Sequence, residues 1–368
     1  MYKQVSAENQ LFLSRFDNAI EGLSLSEIES LTPQELKNIL SQSGLSKALI
    51  PSCYGGDGLS MSRSLDILQY VASKSPSAGV MLCMHYHVVG TIAMYPEAFT
   101  FSKDFLEDIC QHNKLVASAF AESIPGQDIF STSVKATITA DSISISGDKK
   151  PCTLSSTADY YAVSVITNEG TSGIAVVNSN LEGISCKPFW SSDILSATDS
   201  HNVVFTDVKI DKEWLVLAES EEFQAYLNMG LCVFNLMINA AYMGACTSLV
   251  NKLPPQVLEC DVTTRTDIYG KLAQSYYSIH GVSNLLELKD LEWLVPDILS
   301  LRYQNQLLFK DIKSIVFEKI GGYRYLSDKE VHYLSQAVDL IAFHPVSRFS
   351  FESSLKQTDN NASHEKVA

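Results

Sequence analysis

The sequence predicts an α+β chain in three parts: an N-terminal helical domain, a middle antiparallel β-barrel domain and a C-terminal helical bundle. Two observations predict it. Apolar residues recur at helical spacing to about residue 111, alternate at period two between about 114 and 212, and return to helical spacing after Trp214. At 368 residues the chain also exceeds the usual size of one core, so several packed units are expected. The boundaries fall at 1–113, 114–214 and 215–368.

In the first part, "LTPQELKNILSQSGL" (31–45) offers Thr32 as N-cap and Pro33 at the first helical position, with Leu36, Ile39 and Leu40 on one face. "SRSLDILQYVASKS" and "SAGVMLCMHYHVVGTIAMY" continue as helices. The second is apolar nearly all round, the pattern of a helix buried on most sides. The texture then changes. "KATITADSISISGDKK", "DYYAVSVIT", "SGIAVVNS" and "HNVVFTDVKI" alternate or carry β-branched runs, with Gly, Asn and Asp between them, and read as strands. Helices return with "MGLCVFNLMINAAYMGACTSLV", "DIYGKLAQSYYSIHGVSNLLELKDL", "LRYQNQLLFKDIKSIVFEKI" and "KEVHYLSQAVDLIAF". The tail "KQTDNNASHEKVA" has no apolar face and is expected to fray.

Hydrophobic content of 46% with 19% charged residues describes a globular protein with a substantial core. The net charge of −15 argues against nucleic acid or an anionic membrane surface as partner, because phosphate binding needs a concentrated cationic face. Eight cysteines without a C-x-x-C pair read as reduced, buried thiols, with no disulfide framework and no metal site. The N-terminus lacks an apolar core with a cleavage site, and no uninterrupted apolar run reaches membrane-spanning length. A cytoplasmic protein is expected. No G-x-G-x-x-G, P-loop, H-E-x-x-H or G-x-S-x-G motif is present, and "YGGDGL" (54–59) reads as a turn.

Four stretches, taken in order, carry a family resemblance. "LIPSCYGGDGLSMSRSLDILQYVAS" (49–73) is similar to a P-x-x-x-G-G-x-G turn followed by a helix. "ASAFAESIPGQDIFST" (117–132) is similar to a T-E-P-x-x-G-S-D segment, with Glu122, Gly126 and Asp128 in register. "ISGDKKPCTLSSTADYYAVSV" (145–165) and "HNVVFTDVKIDKEWLV" (201–216) are similar to two strand regions of the same family. On these residues the chain resembles the acyl-CoA dehydrogenases over nearly all of its length.

The resemblance implies an FAD-dependent flavoprotein oxidoreductase. It implies that the Gly126 loop and "PCTLSS" hold the flavin, with main-chain groups of Phe120, Ala121 and Gln127 at the ring edge. Thr153 is implied beside the flavin N5, and Pro151 stands where many relatives have tryptophan. Gly321 and Gly322 match the family's Q-x-x-G-G, a backbone site for the pyrophosphate of a neighbouring subunit, although a Gly pair after a helix also reads as a C-cap. A homodimer or homotetramer is implied. So is an acyl thioester substrate, on CoA or an acyl carrier protein, with an electron acceptor or oxygen as partner.

The departures are as informative. Dehydrogenation of an acyl thioester needs a base for the α-proton, and a carboxylate raised in basicity by an apolar pocket suits that task. Counting about twenty residues on from Gly322 reaches "FHPVS", so Phe343 falls on the family's tyrosine and His344 on its glutamate. The family's other glutamate position, on the first long C-terminal helix, holds Phe234-Asn235. Neither carboxylate is there. The R-x-x-F-G loop is also not recognisable, and Arg265 is the nearest cation. His344 is then the candidate base, since imidazole titrates near neutrality. Asn235, Phe343 and Arg348 are candidate substrate neighbours, Arg348 reading equally well as a helix C-terminal cation. In "CMHYHVV" the two histidines are two apart, wrong for a shared metal. His87 is assigned to the acyl pocket by the resemblance, the alternative being hydrogen-bonded core histidines. Three readings stay open: dehydrogenation with a different base, a flavin monooxygenase of the same fold, and a non-catalytic relative that binds acyl groups or a carrier protein.

Overall fold

Capping chemistry sets the first helices. The computed structural model describes residues 7–124, 129–140, 142–219, 221–286 and 291–353. It opens with α1 (Ala7–Ala19), α2 (Leu25–Glu29) and α3 (Pro33–Ser43). Ser24 and Thr32 form capping boxes with Glu27 and Glu35, and Gly44 ends α3 in the left-handed region at φ 74°. There follow α4 (Met61–Lys74), α5 (Pro76–Met94) and α6 (Ser102–His112).

The strands are β1 (Val116–Ala119), β2 (Lys135–Ile138), β3 (Ile143–Cys152), β4 (Tyr160–Thr167), β5 (Ser172–Asn178), β6 (Ile184–Lys187), β7 (His201–Ile210) and β8 (Leu215–Leu217). They form one sheet in the order β6-β7-β3-β2-β4-β5-β8. The expected barrel is antiparallel throughout; the sheet is not. One edge of β4 is shared, its first half pairing parallel with β1 and its end parallel with β2. Its other edge takes β5 antiparallel.

The C-terminal part holds α7 (Glu221–Val250), α8 (Pro255–Cys260), α9 (Val262–Leu285), α10 (Leu291–Ile320), α11 (Gly322–Ser327) and α12 (Lys329–Asp339). Helix α7 is the axis of the molecule: α4, α5, α9, α10 and α12 all pack on it. Gly244 permits the closest of these approaches, since a methyl group there would lie 2.3 Å from the Gln69 carbonyl oxygen of α4.

Among the described residues, two helices are long and apolar enough by length and composition to cross a membrane, Pro76–Met94 and Phe223–Val250, although neither is an uninterrupted apolar run. Most of each is buried against neighbouring elements, as the all-round apolar pattern of a core helix requires. The cysteines also differ from expectation. Cys83, Cys152, Cys232 and Cys246 are buried, but Cys53, Cys186 and Cys260 are exposed.

One buried acid fastens the helical parts together. Glu29 at the end of α2 accepts hydrogen bonds from Ser75 Oγ (2.5 Å), Ser77 Oγ (2.5 Å), Ser77 N (3.2 Å) and the hydroxyl of Tyr333 on α12. Its charge also faces the N-terminus of α5, where a carboxylate is favoured. Glu29→Ala leaves these donors unpaired, and we expect it to cost about 3 kcal/mol of stability, read as a lower urea midpoint. Glu29→Gln, which keeps an acceptor, is expected to cost less than half of that.

Candidate functional site

On the β side, four of the positions implied to hold a flavin converge at one end of the sheet. The backbone N–H of Lys150 donates to Ala121 O at 2.8 Å, and Ser123 Oγ donates to Lys150 O at 2.9 Å. The segment of Phe120 and Ala121 is thereby docked beside Pro151 and Thr153. Under it lies a buried ion pair: Lys149 Nζ donates to Glu122 Oε1 (2.7 Å), Thr132 Oγ1 (2.9 Å), Ser164 Oγ (2.7 Å) and Phe120 O (3.3 Å). Burial opposes ionisation of Glu122, but the hydrogen bonds from Lys149, Thr132 and Ser133 outweigh it and hold the carboxyl down to about 2. Glu122 braces the loop and is spent on it. Gly126, Gln127 and Asp128 lie outside the described residues.

Thr153 begins a chain of hydroxyls with a defined direction. Thr198 Oγ1 donates to Leu195 O at 2.6 Å, so its proton is spent. Ser200 must therefore donate to Thr198, and Thr153 to Ser200, each across 2.8 Å. Asp199 holds the same loop by accepting from Ser155 Oγ, Ser156 N and Ser156 Oγ. What Thr153 offers a ligand is a lone pair, suited to an N–H donor.

On the helical side, α5 resolves the two histidines. His85 is a core residue: Val116 N–H donates to its Nδ1 at 3.1 Å, which leaves Nε2–H to donate to Ser46 O at 2.7 Å. His87 differs. Both of its ring nitrogens are buried with no hydrogen-bond partner among the described residues. Its ring stands 6.5 Å from that of Phe120 and 5.4 Å from that of Phe234 on α7. Burial, helped slightly by His85, pushes the His87 imidazole down to about 4.

Phe234 also touches the third member, with its ring 5.9 Å from His344. His344 Nε2 lies 2.7 Å from the hydroxyl of Tyr242, two turns further along α7. The backbone beside His344 is clamped by Arg302 of α10, which is only 1% exposed. Its guanidinium donates to Pro345 O (2.6 Å), Val346 O and Asn235 Oδ1 (2.8 Å). Tyr303 OH adds a bond to Val346 O at 2.9 Å. Burial, and then the Arg302 charge, push His344 down to about 3.

One row of rings thus runs from the β-domain edge to the C-terminal bundle: Phe120, His87, Phe234, His344 and Tyr242. A small recess lined by Phe120, Phe130, Thr132, Ser164, Phe223 and Leu227 adjoins its first member. Among the described residues, the charged neighbour that acts on His344 is the cation Arg302, and His87 is governed by its burial.

Three proteins set this arrangement in context. The isobutylamine N-hydroxylase of Streptomyces viridifaciens is 28% identical over 347 residues, 90% of each chain. FMN-bound TdsC from Paenibacillus sp. A11-2, a dibenzothiophene monooxygenase, superposes with a TM-score of 0.80 at 18% identity, covering 93% of this chain and 95% of that one. Butyryl-CoA dehydrogenase of Megasphaera elsdenii also superposes at 0.80, at 15% identity, covering 96% of this chain and 98% of its own. The chain has the acyl-CoA dehydrogenase fold. No family model matches it.

Within this acyl-CoA dehydrogenase fold, the remaining positions singled out in the sequence are dispersed. Asn235 is fully buried, with Oδ1 accepting from Arg302 and Nδ2 donating to Leu231 O at 2.8 Å. In this arrangement it holds Arg302. Arg348 donates to Tyr303 O at 2.9 Å and lies over the Tyr303 ring, so it fastens the C-terminal segment to α10. Phe343 is 79% exposed. Gly321 (φ 81°) and Gly322 break the chain between α10 and α11, apart from the ring row, where the left-handed φ favours glycine. Arg265 donates to Leu258 O and Glu259 O at the end of α8.

Sequence reasoning missed Tyr242 and Arg302. Each had a signal. Tyr242 follows Phe234 at i+8, on the same helical face, and Arg302 is a lone cation in the otherwise uncharged stretch "ILSLRYQNQLL".

Proposed function

We propose that this chain is a flavin-dependent monooxygenase that hydroxylates the nitrogen of a small primary amine. The observation that carries the proposal is the charge of the site. The two glutamate positions of the acyl-CoA dehydrogenases hold His344 and Phe234, and the nearest buried charge among the described residues is the cation Arg302. An α,β-dehydrogenase needs a competent base there. A His344 held down to about 3 is a poor one, since the best general bases titrate near the working pH.

The residues fit a flavin. His87 carries two buried ring nitrogens without partners among the described residues, Thr153 presents a lone pair, and the backbone of Phe120 and Ala121 is docked beside Pro151. A bound reduced flavin would supply the electron pair and deliver molecular oxygen to the substrate. In balance, amine, oxygen and reduced flavin give hydroxylamine, water and oxidised flavin. One oxygen atom joins nitrogen and the other leaves in water.

The protein's own part is binding and selection. Phe120 and Phe234 wall the apolar side, and His344 and His87 stay uncharged at neutral pH. An alkylammonium would meet Arg302 with no carboxylate to balance it, which is costly in a buried site. The free amine meets no such penalty, and its open lone pair is what the oxygen transfer uses. The relatedness to an amine N-hydroxylase supports the same substrate class. We propose further that the chain works as a homo-oligomer.

The test uses the full-length protein with reduced FMN or FAD, oxygen and a short branched primary amine. We expect an amine-dependent product heavier by one oxygen atom. Apparent affinity should rise roughly tenfold per pH unit below the amine's own pKa, because only the neutral form binds. An unchanged amine, together with an enoyl thioester formed when an acyl-CoA is supplied with oxidised flavin as the hydride acceptor, would contradict the proposal.

A further inference from the structure

The tautomer of His344 can be read from its surroundings. Tyr242 is fully buried, 1% exposed, and the sole hydrogen-bond partner of its hydroxyl among the described residues is His344 Nε2 at 2.7 Å. A buried O–H without an acceptor costs about 1–3 kcal/mol, so the phenolic proton belongs in that bond. If Nε2 carried the ring proton instead, the tyrosine proton would have nowhere to go. Nε2 is therefore the acceptor, and the neutral ring carries its hydrogen on Nδ1. Nδ1 has no hydrogen-bond partner among the described residues, and His344 is half-buried and not closed off from a ligand.

We infer that Tyr242 is a positioning residue that locks His344 as the Nδ1–H tautomer, so that His344 serves the site as a hydrogen-bond donor to an oxygen atom and not as a base. Arg302 completes the device. Its bonds to Pro345 O and Val346 O fix the backbone on which the ring turns, and its charge opposes a second proton on the imidazole. Asn235 and Tyr303 hold the guanidinium in turn. The proton-accepting nitrogen that a dehydrogenase base would need is the one Tyr242 occupies.

This inference deepens the proposed monooxygenase reading and rests on it for the identity of the acceptor. Its physical core does not, because the tautomer is a property of the protein alone. The experiment is nitrogen NMR on the full chain labelled at histidine, before and after flavin is added, with the His344 signals assigned by their loss in His344→Asn. We expect the Nδ1–H neutral tautomer between about pH 5 and pH 8. In Tyr242→Phe we expect a mixture of the two tautomers, with turnover reduced about tenfold and the amine KM little changed. An Nε2–H tautomer in the unmodified protein, or an imidazolium within that range, would overturn the inference even if Tyr242→Phe failed to fold. Failure to oxygenate amines with the Nδ1–H tautomer present would instead reject the monooxygenase reading alone.

Discussion

His344→Ala is expected to lower amine oxygenation about 10²–10³-fold in kcat, the usual cost of deleting a preorganised donor from an active site. Flavin binding should change little, because the groups assigned to the flavin are Phe120, Ala121, Thr153 and His87, and Phe234 stands between His87 and His344 in the ring row. The more discriminating variant is His344→Asn. Its amide N–H can occupy the position of Nδ1–H but cannot take a proton, so a donor role predicts recovery of about tenfold over alanine. A base role predicts none. Steady-state rates at saturating amine, with the hydroxylamine quantified directly, separate the two.

The second large effect is on stability. Lys149→Met leaves the Glu122 carboxylate buried without its counter-ion, and breaking such a pair costs about 3–5 kcal/mol. Glu122→Gln strands the Lys149 ammonium and should cost a similar amount. Replacing both by apolar residues of similar volume should restore much of the loss, which urea unfolding of the three variants would show. The pair also sets a pH dependence. Glu122 is depressed to about 2, so its contribution is complete above the ordinary carboxylate range and is lost as pH falls from there toward about 2. Because the same pair bonds to Phe120 O and Thr132 Oγ1, flavin affinity should fall together with stability.

Much of the fold was legible because its signals are local. The capping box at Thr32 and Glu35, the glycine after α3, the alternation at the start of β3 and the β-branched runs of β4 and β5 each depend on neighbours in sequence. The unrecognised strands are short: β1 and β6 have four residues and β8 three, too few for a period to register. Parallel pairing of β1 and β2 with β4 is a long-range choice that no local pattern records. Helix α10 begins ten residues before the stretch first read as helical, through the internal Pro296 that sequence rules treat as a stop.

The site divides in the same way. Counting from Gly322 found His344, and the helical position of "CMHYHVV" found His87. Their chemistry was not legible, since it depends on groups distant in the chain. Tyr242 is 102 residues from His344 and takes the nitrogen a base would use. Arg302 reaches the same segment from another helix. Position in the chain identified the residue, and only the partner across the fold fixes whether it gives or receives a proton.

The central claim, oxygen transfer without α-proton abstraction, is tested most directly by anaerobic titration of the flavin-loaded protein with a panel of acyl-CoA thioesters. The flavin absorbance reports hydride transfer. The account predicts that the oxidised spectrum persists through the titration. Rapid bleaching by any of these thioesters, abolished in His344→Ala and not rescued in His344→Asn, would contradict it and make His344 the base of a dehydrogenase.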